Sequence, residues 1–266
     1  MIVIASVIGA CIGVCLGALG GGGSIITVPA LVYLLQQPLS TAITQSLVIV
    51  GISAVVAVAG HARAGHVRWR AGIALGAVGA LAAWGGTAFG RLIPASTALA
   101  SFAVLMLVVA LSLLYRSRSR LTRSISPATQ SNDLPRSERT TQIRSAVEVI
   151  LAGLLIGGLT GFFGVGGGFV IVPVLVILLG YPMPVAVGTS LLVVSLNSAT
   201  ALLARIGHQP IEWSVVIPVT VVAILGSVVG KVISQRTSES VLTRSFAAML
   251  LVVAGYVGAR SFGLLP

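Results

Sequence analysis

GALGGGGSIITVPALVYLLQQP (residues 17–38) recurs as GFFGVGGGFVIVPVLVILLGYP (residues 161–182), at an ungapped offset of 144 residues. The same offset superposes Ser46 on Ser190, Trp69 on Trp213 and Phe102 on Phe246. Fifteen of the 34 positions from 17 to 50 are identical to their counterparts. Shared Leu and Val follow from an apolar composition; Gly, Pro and Trp in register do not. A duplicated apolar chain with a glycine-rich break in each copy is a signature of secondary transporters.

Composition names the solvent. Of 266 residues, 56% are hydrophobic and 8% charged, with a mean hydropathy of +1.09. Soluble domains carry about 25% charged residues, so this chain reads as a multi-pass, all-α integral membrane protein. Its apolar segments cover residues 2–19, 24–36, 40–60, 71–91 and 95–115, then 146–162, 168–180, 184–203, 213–233 and 239–260. Residues 1–115 form a first transmembrane repeat and residues 146–266 a second. Between them lies a polar, basic linker over residues 116–145, rich in Ser, Thr and Arg, which is expected to be a solvated loop. The N-terminus lacks a basic n-region and aligns with an internal segment of the second copy, so it is expected to be a retained first helix.

The net charge of +11 is carried by residues between apolar runs, including Arg63, Arg68, Arg70 and the linker. That is the distribution of cytoplasmic loops rather than of a nucleic-acid surface, and such loops attract anionic lipid headgroups. If the second half is inverted, Lys231, Arg236 and Arg244 join the same side, leaving Arg91, Arg205 and Arg260 opposite. Parallel halves weaken this bias, so inverted repeats with a cytoplasmic linker are expected.

Segments 24–36 and 168–180 are short for spans. Thirteen helical residues reach about 20 Å against a hydrocarbon core of about 30 Å. Each follows a glycine cluster and contains Pro29 or Pro173, predicting broken or re-entrant helical hairpins whose tips face an internal cavity. The tips are Gly20, Gly21, Gly22, Gly23 and Ser24 in one copy, and Gly164, Gly166, Gly167 and Gly168 in the other. Free N–H groups at the helix starts, with the positive ends of the helix dipoles, would hold a small anion without a charged side chain. The competing reading is that these glycines only permit close helix packing. Gln45, Ser46, Thr189, Ser190 and Asn197, polar positions on otherwise apolar helices, are candidate donors to substrate oxygens; interhelical hydrogen bonds are the alternative.

Other constellations are less productive. Cys11 and Cys15 share a helix face but match Leu155 and Leu159, which suits packing better than thiol chemistry. His61, His66 and His208 fall among arginines and are expected to be solvated loop residues. Asp and Glu fall in the linker or near span ends, as Glu148, Glu212 and Glu239 do, and none lies mid-span, which disfavours cation transport. No catalytic set, metal-ligand cluster, cofactor motif or Walker motif is visible, so the chain reads as no enzyme, and ATP drive would require a partner subunit.

The patterns GxxGGGGS…VPxL…QSL and GxxGVGGGFVIVPVLVILLGYP…AVGTSL together resemble the TauE/SafE family of sulfite exporter-like permeases. The resemblance implies a bacterial inner-membrane permease for sulfur-containing or organic anions such as sulfite, sulfoacetate or sulfonates. In the first copy Gln45 stands where the second has Thr189, which leaves open whether the half-sites contribute equally. A non-transporting scaffold for a partner complex is the second function class, and a sulfur-transfer channel using Cys11 or Cys15 a third.

Overall fold

The computed structural model describes residues 2–90, 93, 95–123, 138–163, 168–205 and 211–261. Ten α-helices account for almost all of them: α1 (Ile2–Leu19), α2 (Gly22–Pro29), α3 (Leu39–Arg63), α4 (Trp69–Gly90), α5 (Ala95–Arg123), α6 (Glu138–Phe163), α7 (Gly168–Ile177), α8 (Met183–Leu203), α9 (Trp213–Arg236) and α10 (Glu239–Ser261). Helix reaches further into the polar linker than the apolar pattern implied, to Arg123 on one side and from Glu138 on the other. Arg, Leu and Glu are good helix formers, so a helix leaving an apolar environment need not stop where hydropathy falls.

Among the described residues, α3, α8, α9 and α10 are long and apolar enough to cross a bilayer. The outer surface is correspondingly apolar, with Leu81, Trp84, Val108, Leu225 and Val252 exposed. The polar residues turn inward: Gln45, Ser53, His61, Thr189, Ser190, Asn197 and Ser198 are all buried. In water this distribution would be unstable; in lipid it is the ordinary solution.

The duplication is legible in the local structure. Pro29 cannot donate the backbone bond that a helix would direct to Ile25, and the chain loosens immediately afterwards into a π-helix, Ala30–Leu34. That segment ends with Gln36 at φ 56°, and α7 ends with Gly180 at φ 66°, 144 residues on. In each case the N–H just after the left-handed residue donates back six residues, Gln37 to Leu31 O and Tyr181 to Leu175 O, both at 3.0 Å. This wide carbonyl-capping turn is followed in both copies by a proline, Pro38 or Pro182, at the N-cap of the next long helix.

Helix packing is reciprocal. α1 packs on α9 and α6 on α4; α3 crosses α8; α5 packs on α10. Counterparts under the 144-residue offset therefore exchange partners between halves. Both seams are backbone-to-backbone and use glycines four apart. Gly9, Gly13 and Gly17 of α1 lie against Val219, Ala223 and Ser227 of α9. Gly157 and Gly161 of α6 lie against Gly79 and Ala83 of α4, and Gly153 rests on Val78. Numbers rise together along both partners, so each seam is a parallel pair. Small residues at every fourth position let helices approach where lipid supplies no hydrophobic drive.

Candidate functional site

The first glycine cluster ends α1 and starts α2. Gly20 takes φ +74°, a left-handed conformation that glycine adopts without Cβ strain. The chain then turns back along α1: Gly22 lies against Leu19 and Cys15, and Gly23 against Leu16 and Ile12. Ser24 Oγ donates to Gly21 O at 2.8 Å, and Thr27 Oγ1 to Gly23 O at 2.7 Å, so both hydroxyls fasten the tip to itself. Gly20, Gly21, Gly22, Gly23 and Ser24 are all buried.

The second tip meets the first. A Cβ placed on Gly168, the first residue of α7, would fall 2.6 Å from Gly21 Cα, and one on Gly21 would enter the Gly168 carbonyl. The starts of α2 and α7 are thus in backbone contact across the two halves. α2 has no side-chain cap at its N-terminus, so the contact brings together the positive ends of two helix dipoles. Gly164, Gly166 and Gly167 lie outside the described residues.

The hydrogen-bonding positions that sequence selected divide into three groups. Ser190 lies over the first tip, since a Cβ on Gly20 would strike its Oγ. Its hydroxyl donates to Val187 O and that of Ser46 to Ile43 O, both at 2.8 Å. Each oxygen keeps acceptor capacity, and each proton is redirected only by rotating the hydroxyl. Thr189 is committed differently: its Oγ1 accepts the Arg68 N–H at 3.1 Å and anchors the α3–α4 loop. Gln45, the counterpart of Thr189, is 0% exposed, and neither its amide nitrogen nor its oxygen has a partner. Asn197 is likewise fully buried and unpartnered, but it lies about 10 Å further along α8 than Ser190. Its amide faces the α4–α6 seam, 3.2 Å from where a Cβ on Gly79 would stand.

His61 is not a solvated loop residue. It sits in the last turn of α3, 1% exposed, with Nε2 3.1 Å from Gly17 O. The end of α1 explains this position. Gly20 and Gly21 donate to Leu16 O and Leu19 O, leaving the Gly17 carbonyl to a side chain. His66 is a loop residue as expected, half-buried, and His208 lies outside the described residues. The two cysteines are unpaired, Cys11 exposed and Cys15 half-buried. Among the described residues no three His, Cys, Asp or Glu side chains gather as a metal site requires.

Comparison with known proteins bears on what this arrangement is for. The family model described as sulfite exporter TauE/SafE matches residues 5–257. A probable membrane transporter protein of Xylella fastidiosa is 35% identical over 254 residues, covering 94% of this chain and 92% of the relative. The probable membrane transporter YunE of Bacillus subtilis is 23% identical, covering 94% and 95%. The probable membrane transporter MJ0441 of Methanocaldococcus jannaschii is also 23% identical, covering 97% and 92%. No solved structure matches the chain.

Proposed function

Because the chain belongs to the sulfite exporter TauE/SafE family and is a multi-pass bacterial membrane transporter, we propose that it is a permease for a small sulfur-containing or organic oxyanion. Sulfite, sulfoacetate and the sulfonates are the class intended, and the anion is held near the midplane between the N-termini of α2 and α7. The observation carrying this reading is the contact of those two helix starts at Gly21 and Gly168. Gln45, buried with unused hydrogen-bonding atoms, supplies a neutral donor. Neutral donors and helix dipoles bind an anion without the tight ion pair that would prevent its release.

The two halves, residues 1–115 and 146–266, are inverted repeats joined by a cytoplasmic linker. Support comes from the direction of the helices. The Gly17–His61 contact sets the ends of α1 and α3 side by side. A short loop reverses the chain into α4, and α6 runs parallel to α4 along its glycine seam. α6 therefore runs opposite to its counterpart α1. Lys231 of α9 packs on Gly60 of α3, joining the basic side that holds Arg63, Arg68 and Arg70. α2 and α7 are then the returning arms of two re-entrant hairpins.

The test is thermal unfolding of the purified protein with sulfite, sulfate, thiosulfate, sulfonates and carboxylates. Saturation at about 100 times Kd adds about 2.7 kcal/mol of stability. A selective shift with an oxyanion is expected; no shift with any of them contradicts the reading.

A further inference from the structure

His61 is the buried titratable group that the site above does not use. Its Nε2 faces the Gly17 carbonyl at 3.1 Å, which fixes that nitrogen as the donor. The other nitrogen, Nδ1, is buried and has no partner. His66 Nδ1 is buried and unpartnered as well, and the two rings lie 6.5 Å apart between centroids. Lys231 approaches from α9: its Cδ would stand 3.0 Å, and its Nζ 3.5 Å, from a Cβ on Gly60.

Among the described residues, every charged or titratable group that faces His61 is basic. The α3–α4 loop presents His66 and α9 presents Lys231; α1 contributes a carbonyl and α8 contributes Gly188, whose Cβ would stand 3.2 Å from His61 Cβ. None of α1, α3, α8 and α9 contains an Asp or Glu. A histidine surrounded in this way has no internal counterion for its protonated form. An incoming anion would supply one.

We propose that His61, His66 and Lys231 form a second anion subsite, on the cytoplasmic side of the glycine tips, at which one proton binds to His61 Nδ1 together with the anion. This rests on the permease reading and adds its coupling. Protonation converts Nδ1 from an acceptor into a donor aimed at the anion, while Nε2 keeps its bond to Gly17. The subsite adjoins the tips: Gly17 lies three residues before Gly20, and Gly188 two before Ser190. Anion and proton thus enter one continuous path, and each raises the affinity for the other by the same factor.

The experiment titrates the purified protein with sulfate and with methanesulfonate, both fully ionised between pH 5.5 and 8.5, and reads affinity from thermal stabilisation. For the native chain, affinity should rise by up to about tenfold for each unit fall in pH over part of this range, the limit for one linked proton. His61→Gln, whose amide can still donate to Gly17, should bind with no pH dependence. Lys231→Met should bind at least fivefold more weakly at every pH with the slope retained, and it serves if His61→Gln does not fold. Binding that is flat with pH in the native chain, a slope that survives in His61→Gln, or unchanged affinity in Lys231→Met overturns the subsite and leaves the permease reading standing. No binding of either anion at any pH removes both.

Discussion

Gly21→Leu is expected to abolish anion flux in reconstituted vesicles while the protein still inserts and remains helical. Even a methyl group at Gly21 would enter the Gly168 carbonyl, and both sides of that contact are backbone. Overpacking commonly costs about 1–3 kcal/mol, and here no flexible side chain can move aside. The tips must separate, and the leucine then fills the space between the helix starts. Gly85→Leu is the matched control, since nothing lies within 4 Å of a Cβ there. Native flux in Gly21→Leu would remove the tips from the transport path. Equal loss in Gly85→Leu would mark a general effect of bulk.

Gln45→Leu is expected to separate stability from function. A fully buried amide with neither atom partnered costs about 1–3 kcal/mol in desolvation, and leucine of similar size removes that cost. Thermal stability should therefore be unchanged or higher. If Gln45 donates to the anion, losing a charge-assisted bond worth about 1.5–3 kcal/mol should weaken binding about ten- to hundredfold. A variant both less stable and equally active would make Gln45 a structural residue.

Most of the helix boundaries were legible because hydropathy and proline placement act locally. The apolar segments beginning at residues 40, 184 and 213 start within a residue of α3, α8 and α9. Past Pro29 the chain becomes π-helical while α7 runs through Pro173, yet both copies end in the same carbonyl-capping turn before Pro38 or Pro182. Packing between elements was less visible. Gly9, Gly13 and Gly17 read as part of an apolar helix until α9 is seen against them. At the candidate site, residue types were legible in the sequence but their hydrogen-bond commitments were not. Thr189 and Gln45 occupy equivalent positions, yet the first is consumed by the Arg68 N–H and the second is left unpaired. Asn197 shares the polarity of Ser190 but faces a helix seam. His61 departs from the solvated loop residue that its arginine neighbours in sequence suggest, because its neighbour in space is an open carbonyl at the end of α1.

That asymmetry has a mechanical reading. Thr189, Ser190 and Gly188 tie the α3–α4 loop, the first glycine tip and α8 into one junction. The equivalent positions of the first half, Thr44, Gln45 and Ser46, include an amide with free capacity on both atoms. Under the proposed function, the two related arms would contact the anion unequally, through Gln45 on one side and a fastened junction on the other.

A structure of the protein with bound selenate, located by the anomalous scattering of selenium, tests the central claim most directly. The account predicts one selenium peak between Gly21 and Gly168, with selenate oxygens within hydrogen-bond distance of the first free N–H groups of α2 or α7. Selenium bound only elsewhere, with the contact between the two helix starts empty, would contradict it.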